Sequence, residues 1–288
     1  MTQLSTLSAA QYLALADAGR NGWWRYSLGL LLIAVGWLIG GGYAYTVTMD
    51  AALFGSVNEF VAINASVLTL LVGVVAVTVV LHGRSWRTLV TPRSRLDWRR
   101  MFEGAAVWTA LAAVCAVAEH LLYPGRYAWS LNLQAWLPFV VAALLLTPLQ
   151  CAAEELVFRG YLLQALGRLL RHPAGLAVVS AAAFTLPHLF NPEIAAYGAV
   201  IMAANYFVMG LFLASVALRD GRLELAIGAH AGNNLLLALV INYEDSVYRT
   251  ESVFAAGELD PVYSLVTLVL SALAFHLWVF SKRRDRHE

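Results

Sequence analysis

A chain of 288 residues that is 60% hydrophobic and only 13% charged, with a mean hydropathy of +0.67, groups with polytopic membrane proteins and not with soluble domains. Its formal net charge of +1 offers no basic field for nucleic acid. Its two cysteines, Cys115 and Cys151, both in apolar stretches, provide neither a disulfide framework nor a thiolate metal site and read as packing residues.

The expected fold class is therefore all-α, a polytopic membrane helix bundle forming a single transmembrane domain over residues 1–288. Residues 1–22, with Ser5, Ser8, Asp17 and Arg20, lack the basic start, short apolar run and small-residue cleavage site of a signal peptide and read as a cytoplasmic N-terminal segment. Eight stretches then approach the ~20 apolar residues that a spanning helix needs: Tyr26 to Val47, Phe60 to Leu81, Met101 to Tyr123, Trp136 to Phe158, Pro173 to Phe190, Ile194 to Leu218, Leu223 to Ile241 and Pro261 to Phe280. The fourth is expected to run on to about Leu170, with Pro148 as a candidate kink. Gly36 and Gly40 in the first have the spacing that permits close helix contact in lipid.

Arginines set the expected orientation, because cytoplasmic loops carry excess Lys and Arg. They cluster after the second span (Arg84 to Arg100), the fourth (Arg168, Arg171) and the sixth (Arg219, Arg222), and in the basic tail at 282–288. The alternate connections hold Asp50, Glu59, Glu193, Glu244, Asp245, Glu251, Glu258 and Asp260 against Arg126 and Arg249. Eight spans with both termini cytoplasmic satisfy every loop. Residues 82–100 mix tryptophans and aliphatics with arginines and read as an interfacial segment or an ordinary positive loop.

Few groups capable of chemistry occur within the spans: Glu119, His120, Glu154, Glu155, His188, His230, Asn233, Asn234 and His276. Charged residues at membrane depth cost roughly 2.5 to 3.5 kcal/mol on insertion scales and tend to mark functional sites. Glu154 and His188 are each 17 residues from Arg171, at the turn between the fourth and fifth spans, so they should lie level. His230 joins them if that hairpin projects roughly 10 Å further than the next one. His230 and Asn234 share a helix face, whereas Asn233 points about 100° away and is expected to be dispensable. His276 reads as a hydrogen-bonding partner of a neighbouring helix, and Glu119 as a residue at the outer end of its span.

The combination of Glu154-Glu155 with Arg159, Phe184 with His188, and His230 with Asn234 resembles the three motifs of the CAAX-protease and bacteriocin-processing (CPBP) family of intramembrane proteases. The likeness covers residues 136–242, the catalytic core by this comparison. It implies an eight-helix bundle in the bacterial plasma membrane, with its site inside the membrane and open towards the cytosol. It also implies an endopeptidase acting on membrane-associated peptides or protein C-terminal tails. Carried over, it makes Glu154 the base that activates water, His188 its assistant, and His230 and Asn234 the holders of the oxyanion. Glu155, Arg159 and Phe184 are then the supporting residues. A metal-free glutamate mechanism is preferred, because the H-E-x-x-H zinc helix is missing; the alternative is a zinc enzyme with Glu154, His188 and His230 as ligands. A non-proteolytic immunity or chaperone-like factor of the same family is a further alternative. A transporter would call for internal repeats, and none is seen. The expected partners are the lipid bilayer and a peptide substrate.

Overall fold

The computed structural model describes residues 9–243, 245–247 and 250–281, so the basic tail at 282–288 and Arg249 lie outside the described residues. Each of the eight apolar stretches forms a helix: Trp23–Ala51 (α1), Gly55–Leu81 (α2), Trp98–Leu122 (α3), Leu133–Leu166 (α4), Pro173–His188 (α5), Ala199–Asp220 (α6), Glu224–Leu239 (α7) and Pro261–Ser281 (α8). Six of them are long and apolar enough to cross a membrane, which makes the chain an all-α polytopic membrane protein. The other two, α5 and α7, have 16 residues each, short of the ~20 required, and they carry His188 and His230.

Local chemistry explains where the expected spans stop early. Pro192 forces the preceding Asn191 into extended backbone (φ −71°, ψ 148°), so α5 cannot continue. A short helix, Pro192–Tyr197, follows, and Gly198 at φ +99° breaks the expected sixth span in two before α6 begins. On the same side, three loops meet in a small sheet unforeseen from the sequence. Tyr127–Trp129 (β1) pairs antiparallel with Phe254–Ala256, and the latter pairs parallel with Ile241–Tyr243. In chain order these last two are Ile241–Tyr243 (β2) and Phe254–Ala256 (β3), giving the spatial order β1-β3-β2.

The tightest helix pair is α3 with α7, and glycine makes it possible. A Cβ on Gly228 would stand 1.9 Å from the Met101 carbonyl oxygen, and one on Gly104 would stand 2.2 Å from that of Leu225. Gly228 and Gly232 thus form the small-residue spacing that brings two backbones together in lipid. Gly36 and Gly40, which the sequence singles out, have nothing within 4 Å where a Cβ would be and face outward. Trp108 of α3 stacks on Phe212 of α6 with ring centroids 4.3 Å apart, joining this pair to the main core.

At the arginine-rich end the chain is closed. Segment 82–100 does not lie flat in the headgroup layer: Leu89, Val90 and Thr91 are buried in protein, and Leu223 N–H donates to Val90 O (2.8 Å). Tyr12, from the short helix Ala9–Leu13, is buried over the same segment, its hydroxyl 2.6 Å from Leu89 O and 2.9 Å from Arg159 O. Arg100 reaches Asp220 through two nitrogens (2.9 and 3.3 Å), and Arg222 reaches both Asp220 and Asp97. These pairs tie the start of α3 to the α6–α7 turn.

Candidate active site

Helix α4 changes character where the acids sit. It is α-helical through Glu155, then widens into a π-type segment over Leu156–Leu162, a distortion often found at functional sites. Glu154 and Glu155 are both buried, yet their surroundings differ. Glu155 Oε1 accepts from Arg159 Nη1 (2.8 Å), one turn on, and from His230 Nδ1 (2.9 Å). Arg159 is fully enclosed; it also donates to Gly210 O (3.1 Å) and lies 4.3 Å from the centre of the Phe184 ring. The charge of Glu155 is therefore matched inside the protein.

Glu154 pairs with no arginine among the described residues. Its Oε1 accepts from Gln150 Nε2 (3.1 Å), and its Oε2 has no hydrogen-bond partner. His188 Nε2 and His230 Nε2 each stand 3.9 Å from that Oε2, close but beyond direct hydrogen bonding. What the histidines do with their other nitrogens fixes their chemistry. His188 Nδ1 is 2.7 Å from Phe184 O, and His230 Nδ1 faces the Glu155 carboxylate. Both partners can only accept, so each ring carries hydrogen on Nδ1 and, when neutral, turns a bare Nε2 towards Glu154. Three lone-pair donors thus face one point.

Opposite faces of α7 divide the work of packing and presentation. Gly228 and Gly232 lie two residues either side of His230, about 200° round the helix, so the face that packs against α3 is opposite the one that presents the imidazole. The heights agree with the hairpin argument. From Glu154 to the end of α4 at Leu166 is 12 residues and from the start of α7 at Glu224 to His230 is 6, a difference of six residues or about 9 Å of helix.

Asn234 and its neighbour are linked in a relay. Trp108 Nε1 donates to Asn233 Oδ1 (3.0 Å) and Asn233 Nδ2 donates to Asn234 Oδ1 (3.1 Å), leaving the Asn234 amide nitrogen with no hydrogen bond among the described residues. Asn233, which the sequence suggests is dispensable, is thus hydrogen-bonded to Asn234. Gln150 was also missed, although its place one turn before Glu154 on the same face was readable. Tyr206, whose ring centroid lies 4.6 Å from that of His188, carried no signal in the sequence.

The remaining polar candidates are accounted for elsewhere. Glu119 pairs with Arg126 (2.6 Å) and accepts from the Tyr127 hydroxyl near the sheet. His276 Nε2 lies 2.8 Å from Ser215 Oγ on α6. His120 is exposed, Cys151 is buried and free, and the Cys115 thiol is 3.4 Å from Ser271 Oγ.

Glu154, His188, His230, Asn233 and Asn234 all line one cavity of about 560 Å³. The expected opening was towards the arginine-rich side. The lining instead runs to Glu119, Tyr127, Tyr243, Glu258 and Asp260 at the sheet side, and includes no residue of 82–100. Tyr12 and Leu89 are buried at the arginine-rich end and do not line the cavity.

A metal can be tested against these donors. Two bare imidazole nitrogens and a carboxylate oxygen form a zinc-type set, with His230 held from behind by a carboxylate as zinc-bound histidines commonly are. Bond lengths of 2.0–2.2 Å place neighbouring ligands on tetrahedral zinc ~3.3 Å apart, so the 3.9 Å spacings would have to contract by roughly half an ångström. Among the described residues no three His, Cys, Asp or Glu side chains are grouped closely enough to hold a metal ion.

Two buried carboxylates, a buried imidazole and a half-buried one gathered inside a helical membrane bundle form an acid-base centre of the class an intramembrane hydrolase would use. Comparison with known proteins gives that class a family. The family model described as type II CAAX prenyl endopeptidase Rce1-like matches residues 133–236. The uncharacterized protein YyaK of Bacillus subtilis (strain 168) is 31% identical over 292 residues, covering 94% of this chain and 96% of that protein. The chain belongs to the Rce1-like family of CAAX-type intramembrane proteases. No solved structure matches it.

Proposed function

We propose that this protein is an intramembrane endopeptidase that hydrolyses membrane-associated peptides or protein tails with a water activated by Glu154. The observation that carries the reading is the convergence of Glu154 Oε2 with two bare imidazole nitrogens, each at 3.9 Å, on a cavity reaching the end of the bundle. A water set among three acceptors can donate one hydrogen to Glu154 and one to His188, which aims its lone pair away from them at a carbonyl carbon. Attack forms a C–O bond, passes a proton to Glu154 and leaves an oxyanion on the former carbonyl oxygen. Collapse breaks the C–N bond, and the proton goes to the departing nitrogen.

The roles of the other residues follow from their hydrogens. His230 already uses Nδ1–H on Glu155, so it donates from Nε2 only as an imidazolium. Asn234 offers its free amide N–H₂, a type of oxyanion donor whose loss costs about 2.7 to 4 kcal/mol. If zinc is the cofactor, Glu154, His188 and His230 would hold it, and it would supply a Lewis acid and a more acidic water. We place the protein in a bacterial plasma membrane with both termini in the cytoplasm, so that the sheet side of the cavity faces outward. Cysteine labelling from each side tests this: position 251 should react from outside and position 286 from the cytoplasm.

The deciding experiment compares purified wild type with Glu154→Gln on a peptide fraction extracted from membranes, read by mass spectrometry. New termini should form with wild type and fall by at least ~10²-fold with Glu154→Gln. Equal cleavage by both would end the glutamate mechanism. Activity kept in chelator favours the metal-free form, and loss restored by zinc favours the metal form.

A further inference from the structure

Glu193 is a second cavity carboxylate without a counter-charge among the described residues. It stands in the first turn of the short helix Pro192–Tyr197, five residues after His188, and is 2% exposed. Its Oε1 accepts from Val247 N–H (2.9 Å) and the Tyr243 hydroxyl (3.2 Å), while its Oε2 accepts nothing. The hydroxyl of Tyr206 lies beside it, itself accepting from Asn191 Nδ2 (2.9 Å). The Tyr206 ring is the one packed against His188, so one aromatic ring separates Glu193 from the cluster around Glu154.

Charge compensation singles Glu193 out. Glu155 has Arg159, and Glu119 and Asp260 share Arg126 at 2.6 and 3.5 Å. Among the described residues no lysine, arginine or histidine pairs with Glu193, and no lysine or arginine lines the cavity. A buried carboxylate with no cation is a costly arrangement. Accepting from a backbone N–H and from tyrosine hydroxyls does not explain it, because these neutral donors bring no positive charge to balance the carboxylate. A counter-charge that arrives with the ligand does explain it.

We propose that Glu193 is a specificity residue that pairs with a cationic group of the bound peptide, either a lysine or arginine side chain or a free N-terminal ammonium. This rests on the cavity being the peptide site of the proposed protease. The pairing positions the peptide against Glu154 and takes no part in bond breaking.

Binding tests the idea without turnover. Three fluorescent apolar octapeptides would be titrated onto the full-length protein carrying Glu154→Gln in detergent micelles. One is N-acetylated with a single arginine, one is its N-acetylated citrulline twin, and one is the citrulline peptide with a free N-terminus. Either the arginine peptide or the free-amine peptide should bind about tenfold more tightly than the acetylated citrulline twin, and which of the two does so identifies the source of the cation. Adding Glu193→Gln should abolish that preference and leave citrulline binding within about twofold. Should Glu193→Gln fail to fold, Glu193→Asp keeps the charge but draws it back, and should weaken only the cationic peptide.

Equal binding of all three peptides, a preference that survives Glu193→Gln, or no binding at all would overturn the proposal. Cleavage of the same peptides by protein with Glu154 intact is scored separately. Cleavage without a cation preference sinks only the role of Glu193, and a cation preference without cleavage sinks only the protease reading.

Discussion

Gly228→Ala is the sharpest test of how the bundle presents His230. The new Cβ would lie 1.9 Å from the Met101 carbonyl oxygen and 2.8 Å from its carbon, where ordinary contact begins at 3.4 Å, so α3 and α7 must part by about 1.5 Å (3.4 − 1.9). Backbone blocks the way, and no side chain can rotate aside. Overpacking of this kind costs typically 1–3 kcal/mol, and the upper end applies here, giving a fall of several degrees in the melting temperature in detergent. Because His230 lies on the opposite face of α7, the same displacement drives it towards Glu154 and out of its 3.9 Å geometry. A misplacement of about 1 Å can cost 10²-fold in rate, so turnover should fall by about that factor. Gly40→Ala is the control: with nothing within 4 Å of its Cβ, it should leave activity unchanged and gain up to ~1 kcal/mol from helix propensity. If Gly228→Ala melts within a degree of wild type and turns over at the same rate, the backbone contact of α7 on α3 is wrong.

Glu155→Gln should behave unlike Glu154→Gln. It strands the enclosed Arg159, a loss of about 3–5 kcal/mol for a broken buried pair, so melting temperature and activity should drop together, whereas Glu154→Gln should melt close to wild type. Asn233→Ala should cut turnover by up to ~10-fold with little change in KM, because it removes one hydrogen bond that orients Asn234; unchanged turnover would restore the view that Asn233 is idle. Asp97 caps α3 by accepting from Arg100 N–H, so Asp97→Ala should destabilise by about 1–2 kcal/mol at neutral pH. Burial pushes the Asp97 carboxyl up, but hydrogen bonds from Arg222 and Arg100 and the nearby arginine charges outweigh it and hold it below the usual carboxylate range. Its contribution is therefore complete above that range and lost as pH falls through the depressed value, so wild type and Asp97→Ala should converge in melting temperature below about pH 4.

The helices were legible because membrane depth demands long apolar runs, and such runs stand out in any sequence. Breaks within them were harder to see. The stop at His188 depends on Pro192 acting on Asn191, and the break at Gly198 on a positive φ that composition does not announce. The three acids and bases at 154, 188 and 230 were found because charge is scarce at depth. Gln150, Asn233 and Tyr206 were not, because amides and phenols are ordinary in spans and gain meaning only from what they touch. The glycine pairs show the same limit: Gly36 with Gly40 and Gly228 with Gly232 have identical spacing, but only the second has a helix against it.

Two adjacent glutamates do different work because neighbouring helical residues point about 100° apart. Glu155 turns into protein, where it is fully enclosed, gives its Oε1 to Arg159 and His230, and does not line the cavity. Glu154 turns to the cavity with one oxygen held by Gln150 and the other unengaged. In a medium where bare charge is costly, a carboxylate with its own cation is a structural part, and one without is waiting for chemistry or a ligand to complete it. Among the described residues, Glu154 and Glu193 are the buried cavity carboxylates of that second kind, on either side of Tyr206. On the proposed reading, one meets the water and the other meets the peptide.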